Sequence, residues 1–122
     1  MKHNKTLGTY GEQIAGKFLE QKGYTILEMQ YSAHGCEVDV IAQKGDLIAF
    51  VEVKSRIGSG YGQPVESVNV AKQKRIITAA EQFLMDYPEA DVRFDVVEIM
   101  ATQAGEEYAI KRVNHIENAF WA

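Results

Sequence analysis

The stretch GCEVDVIAQKGDLIAFVEVKSR, Gly35 to Arg56, sets Glu37, Asp39 and Glu52 among apolar residues that otherwise read as buried strand. "EVDVIAQ" and "LIAFVEVK" each alternate with the two-residue period of a strand, and Lys44, Gly45 and Asp46 between them supply turn chemistry. Side chains alternate across a strand, so Glu37 and Asp39 share one face of the first strand, and Glu52 and Lys54 one face of the second. Whether the two faces coincide depends on the loop. An even loop around Lys44 and Gly45 places Glu37 opposite Glu52 with Asp39 diagonal to it, and gathers all three acids and Lys54 on one side. A three-residue loop separates them. With the even loop, Val38, Val40, Val51 and Val53 are left for the other face.

Outward from this hairpin, Leu7, Tyr10, Ile14, Phe18 and Leu19 recur at helical spacing over 6–21, and Gly23 follows as a helix stop. "YTILEMQY", Tyr24 to Tyr31, is β-prone. Val68, Ile76, Ala79, Ala80, Phe83 and Leu84 mark a second helix that ends before Pro88, and "VRFDVVEIM" is a further strand. The last segment, "EYAIKRVNHIENAFWA", reads as a short C-terminal strand plus a packed tail. The order α-β-β-β-α-β predicts an α/β fold, a mixed β-sheet flanked by helices.

The chain has 122 residues, 46% of them hydrophobic and 25% charged, which suits one domain over 1–122 with a core of its own. A single cysteine excludes an internal disulfide framework, and the start "MKHNKTLGTYGEQ" carries neither a signal-peptide apolar region nor a membrane span. A cytoplasmic protein without membrane contact is expected. The net charge of −4 has the wrong sign for binding nucleic acid through bulk charge, so a polyanion site must be local. Lys54 and Arg56 offer one local concentration of cations, and Lys72, Lys74 and Arg75 in the next helix another. "RIGSGYGQP", Arg56 to Pro64, is a candidate mobile loop.

Like charges facing each other across strands cost roughly 0.2 to 1 kcal/mol and raise one another's pKa, so an acid cluster needs compensation. A hard divalent cation supplies it. Mg²⁺ takes carboxylate and water oxygens and leaves positions that phosphate oxygens can fill. Lys54 lies about 7 Å along the strand from Glu52, within reach of a water or phosphate held by such a cation. The plain alternative is an exposed edge of alternating charge.

At these residues, Asp39 followed by Glu52-Val53-Lys54 on the neighbouring strand, the sequence resembles the PD-(D/E)XK, or restriction-endonuclease-like, nuclease superfamily. It is similar in particular to the YraN-like family of small bacterial proteins, through "GTYGEQIAGKFLEQKGYTIL", "GCEVDVIA", "LIAFVEVKSR", "YGQPVESVNVAKQKRI", "RFDVVEI" and "HIENAF". Archaeal Holliday-junction resolvases have a related layout. The chain departs from the family pattern at Cys36, commonly glycine, and at Gln30, Tyr31 and Ser32, where an Asn-Tyr-Arg run is usual.

The resemblance implies a restriction-endonuclease-like sheet and a metal-dependent nuclease that hydrolyses DNA, with branched or damaged DNA as candidate substrates. The alternative it leaves is a catalytically inactive nucleic-acid- or protein-binding module that retains the fold. It implies that Asp39, Glu52 and the Val53 carbonyl hold Mg²⁺ or Mn²⁺. Lys54 orients the attacking water or stabilises charge on the phosphate, and Glu12 contacts a second metal or its water. The plain reading of Glu12 is a solvated helix acid, flanked by Gly8, Ala15 and Gly16, which let the helix approach the sheet. Glu37 is a further ligand, a group behind the ligands, or a partner for a nearby cation. A homodimer is a further expectation, since resolvases of this layout act as two-fold dimers.

Arg56, Gln63, Lys72, Lys74 and Arg75 are the candidate nucleic-acid contacts. Lys72 shares the helix face of Ile76 and Ala79 and leans toward the sheet; Lys74 and Arg75 fit a solvated charged face equally well. Gln63 can contact substrate or metal-bound water, or simply form the turn. Cys36 reads as a small strand residue, Asp95 as a partner for Arg93 or another cation, and His3, His34 and His115 lack zinc-ligand spacing.

Overall fold

A computed structural model describes residues 6–58 and 68–121. Helix α1 (Leu7–Gln21) leads into strands β1 (Thr25–Ala33), β2 (Cys36–Lys44) and β3 (Leu47–Ile57). Helix α2 (Val70–Phe83), extended by a 3₁₀ turn over Leu84–Asp86, precedes β4 (Asp91–Ala104) and β5 (Glu107–Phe120). The five strands form one sheet in the order β1-β2-β3-β4-β5. Only β3 and β4 run parallel, because α2 carries the chain back across the sheet between them. The expected α/β order is therefore present. Residues 59–64 of the glycine-rich stretch lie outside the described residues.

Local chemistry sets the boundaries. The Thr6 hydroxyl accepts from the Thr9 backbone N–H at the start of α1, and Gly23, at φ 98°, ends it by letting the Tyr24 N–H reach back to the Leu19 carbonyl. The β2–β3 turn is Gly45-Asp46, with Gly45 at φ 61° in the first loop position. The loop is even, as the shared face of the acids requires. It sits one residue later than expected because Gly45 takes the left-handed first position. The register consequently moves by two: Val40 pairs with Val51 at the ladder's end, so the residue that follows in line with Glu52 is Asp39, not Glu37.

The helices cover opposite faces of the sheet. Ala15 and Leu19 of α1 pack with Val40, Ala49, Val51, Val97 and Ile99; Ile76, Ala79 and Ala80 of α2 pack with Ile41, Ile48, Phe50, Phe94 and Val96. Val38 joins the α2 side, not the α1 side expected from simple alternation, since it packs in the same cluster as Tyr31 near the end of the β1–β2 hairpin. The C-terminal segment is also longer than expected, a strand of 14 residues and not a short strand with a tail. It pairs along most of β4 and buries Phe120 against Phe94. No described helix is long and apolar enough to cross a membrane.

Helix α1 approaches β3 closely through Gly11, where an added Cβ would stand 1.9 Å from Ser55 Oγ and 3.1 Å from Ser55 Cβ. Ala15 and Gly16 are buried as expected. Gly8 faces no such obstacle, its nearest neighbour being Thr6 Oγ1 at 4.0 Å. Replacing Gly11 by alanine should gain about 1 kcal/mol of helix propensity and still destabilise the chain by about 1 to 3 kcal/mol through overpacking. Urea unfolding checks this. Adding Ser55→Ala should recover part of the loss, since it removes the nearer atom and leaves the Cβ.

Candidate active site at the fork between β2 and β3

The β2–β3 ladder ends at Val40 and Val51, although both strands continue. Beyond that point β2 stays with β1, through Val38, Glu37 and Cys36, while β3 stays with β4, from Glu52 to Ile57. The sheet opens into a fork. The Val53 N–H, with no β2 backbone partner left to it, donates to Asp39 Oδ2 at 2.8 Å. A strand residue directs its N–H and C=O to the same edge, so the Val53 carbonyl faces the same gap.

Asp39 and Glu52 are buried, with 9% and 7% of their surface exposed. Glu52 Oε2 lies 3.2 Å from Lys72 Nζ, and Glu52 Oε1 is buried without a hydrogen-bond partner among the described residues. Burial, then the negative charge of Asp39, pushes the Glu52 carboxyl up to about 7 against the opposing pull of Lys72. Glu12 reaches the same place from α1. Its carboxyl is also raised, first by burial and then by Asp39, although Gln30 Nε2 donates to its Oε1 at 2.7 Å. The mutual effect identifies Glu12, Asp39 and Glu52 as one electrostatic cluster. Gln30 holds φ at 56°, a left-handed conformation rare for glutamine inside a strand.

Lys54 and Arg56 follow Glu52 at two-residue steps on the same face of β3. They line a cavity of about 380 Å³ with Gly8, Glu52, Val53 and Ser55. Arg56 Nη2 donates to the buried Glu98 of β4, and among the described residues Lys54 has no ion-pair partner. Glu37 is exposed and pairs with Ser32 in the β1–β2 ladder, past the end of the β2–β3 ladder; its charge adds to the raising of the Glu12 carboxyl. Lys74 and Arg75 are exposed on α2 and do not join the fork. Gln63 lies outside the described residues.

A second acid is treated quite differently. Asp95 is fully buried, receives Arg93 Nε and Nη2 at 2.8 Å each, the Asn118 N–H at 3.0 Å, and has His115 Nε2 at 2.8 Å. Lys22 Nζ lies 2.7 Å from His115 Nδ1; an ammonium only donates, so Nδ1 accepts and Nε2–H faces Asp95. Burial opposes the Asp95 charge, yet His115, Arg93 and Asn118 outweigh it and hold the carboxyl at about 2. The expected pairing of Asp95 with Arg93 is present.

A family model described as uncharacterised protein family UPF0102 matches residues 11–99. The chain is 41% identical to a UPF0102 protein of Clostridium perfringens (strain 13 / Type A), over 98% of this chain and 97% of that one. It is 43% identical to one from Alkaliphilus metalliredigens, over 96% and 99%, and 40% identical to one from Rhodococcus jostii, over 98% and 100%. The chain belongs to the UPF0102 family. This is the YraN-like family to which the motifs pointed.

In this UPF0102 chain the fork's donors are all oxygens: the Asp39 and Glu52 carboxylates and the Val53 carbonyl. Among the described residues no three His, Cys, Asp or Glu side chains form a ready metal cage. Mg²⁺ does not require one, since it is commonly bound by one or two carboxylates and keeps several waters. The unpartnered Glu52 Oε1 beside Asp39 fits such an ion. Gln30 and Glu98 escape a reading of the sequence. Glu98 carries the same signal as Glu52, an acid within an apolar strand; Gln30 stands out only as a departure from the family pattern, and nothing in the sequence marks it as a partner of Glu12.

The Glu52 value of about 7 lies above its ordinary 4.5, so the folded chain binds more protons than the unfolded one between those values. Stability contributed by Glu52 therefore falls as pH rises through that window. In metal-free buffer containing a chelator, urea unfolding of wild type should show this loss relative to Glu52→Gln. A difference constant across the window would contradict it.

Proposed function

We propose that this protein is a metal-dependent nuclease that hydrolyses DNA phosphodiester bonds, with branched or damaged DNA as its substrate class. The observation that carries the reading is the buried, unpartnered Glu52 oxygen beside Asp39 at a fork whose next residue on the same face is Lys54. Asp39, Glu52 and the Val53 carbonyl would hold Mg²⁺ or Mn²⁺. Such a cation, when bound, supplies a water of lowered pKa and neutralises charge on the phosphate.

The remaining roles belong to the chain itself. The Val53 N–H holds Asp39 by one oxygen, which fixes the carboxylate beside Glu12 and Glu52. Lys54 places an ammonium about 7 Å along the strand from Glu52, where it orients a water or meets charge developing on a phosphate oxygen. Glu12, held by Gln30 and raised in pKa, can keep a proton nearer to neutral pH than an ordinary glutamate. Arg56, Lys72, Lys74 and Arg75 supply cations for the DNA backbone. A two-fold dimer would present two such sites to a junction. A single free cysteine is in keeping with a cytoplasmic setting.

The net charge of −4 favours the second reading, a non-catalytic binding module of the same fold. Incubation of a panel of single-stranded, duplex, flapped and four-way-junction DNAs with Mg²⁺ or Mn²⁺ separates the two. Wild type should nick at least one, Asp39→Ala and Glu52→Gln should be inactive, and Lys54→Ala should be slower by about 10² to 10³. Cleavage unchanged in Asp39→Ala would sink the site. Calorimetric Mn²⁺ titration should show binding to wild type that Asp39→Ala lacks; no binding to wild type removes the metal, and metal-independent DNA binding without cleavage establishes the module.

A further inference from the structure

Lys72 is the third residue of α2, and the helix cap fixes its place. The Asn69 side chain accepts from the Lys72 backbone N–H at 2.8 Å, while Ile76, four residues on, is buried against the sheet. The side chain leans over β3, and Nζ comes within 3.2 Å of Glu52 Oε2. A cation in the first turn of a helix opposes the macrodipole, so Lys72 is stabilised there by what it faces.

The pair is lopsided. The Lys72 side chain is 40% exposed and that of Glu52 9%, and the second Glu52 oxygen has no partner at all among the described residues. A half-solvated ammonium thus serves a buried carboxylate that retains accepting capacity. Lysine suits an exchangeable contact, being a compact charge on a flexible stem that binds phosphate as a point charge. Lys74 and Arg75, exposed on the same helix, offer neighbouring cations to a phosphate chain.

We infer that Lys72 is the resting counter-ion of Glu52, displaced when a divalent cation takes that carboxylate and thereafter available to a phosphate oxygen of the substrate. The inference rests on the metal-dependent reading above. It couples the two ligands: the ion frees a cation for the DNA, and by linkage bound DNA draws Lys72 away from Glu52 and tightens the ion.

Two measurements without DNA test it. Calorimetric titration should show Lys72→Met binding Mn²⁺ about fivefold more tightly than wild type, because a competing partly exposed ion pair has gone. Acetylation of wild type, read by mass spectrometry, should rise several-fold at Lys72 on saturating Mn²⁺ and stay constant at Lys74, with no rise in Asp39→Ala. Equal or weaker Mn²⁺ binding by folded Lys72→Met, or Lys72 labelling that Mn²⁺ does not move, overturns the inference. The labelling decides the matter if Lys72→Met fails to fold. Mn²⁺ binding to wild type with an unaltered Lys72→Met affinity removes only the role of Lys72; no binding to wild type removes the metal reading and this inference with it.

Discussion

The hydrogen bond from the Val53 N–H to the Asp39 carboxylate is the constraint on which the fork depends. Where two strands part, each exposes backbone groups that had been paired, and a buried unpaired group costs about 1 to 3 kcal/mol. Asp39 satisfies β3 from β2 without continuing the ladder, so the strands separate with the N–H still bonded. That one contact leaves Glu52 at the crotch of the fork and not beneath a neighbouring strand. It also turns the Val53 carbonyl toward the gap, while the cavity beyond runs along β3 from Glu52 to Arg56, with Gly8 of α1 on its wall.

The two buried acids Asp95 and Glu52 show what the fold does when an acid is structural and when it is left open. Asp95 has Arg93, His115 and the Asn118 N–H on its two oxygens, and its carboxyl is held at about 2. Glu52, also buried, receives one half-exposed lysine and is pushed to about 7. The chain therefore has the means to saturate a buried carboxylate, uses them at Asp95, and leaves one Glu52 oxygen without a partner among the described residues. Burying an acceptor in that state is costly, and the cost falls beside Asp39, where a bound cation would recover it.

Much of this is legible in the alternation of Gly35 to Arg56, because a two-residue period assigns faces whatever the register. The pairing of Glu52 with Lys54 on one face of β3 and the lean of Lys72 toward the sheet follow from periodicity, while the face that Asp39 shares with them needs the even turn that the pairing of Lys44 with Leu47 supplies. The exact turn does not follow from periodicity, since either Lys44-Gly45 or Gly45-Asp46 supplies a glycine, and only the pairing of Lys44 with Leu47 decides between them. The Arg56–Glu98 pair is out of reach for another reason. Its register is that of a parallel ladder whose strands are joined through α2, and no local pattern sets the offset across such a crossover. Gln30 is harder still, because its side chain meets Glu12, 18 residues away in sequence, from a left-handed backbone that no glycine announces.

On the nuclease reading, the acidic net charge and the need for a divalent cation are one electrostatic fact. A phosphate chain approaching the fork meets Glu12, Asp39 and Glu52, whose charges repel it as they repel one another. The cations that attract it, Lys54 and Arg56 on β3 and Lys72, Lys74 and Arg75 on α2, are local, and Lys72 and Arg56 are engaged with Glu52 and Glu98. Affinity for a polyanion then cannot come from the chain's overall field, which has the wrong sign at −4. It has to follow neutralisation of the carboxylates at the fork, so that the ion which makes hydrolysis chemically accessible is also the one that makes the surface attractive to its substrate. A chain with a basic surface would bind DNA whether or not the metal was present; on the nuclease reading, this one would tie binding to the state in which it can act.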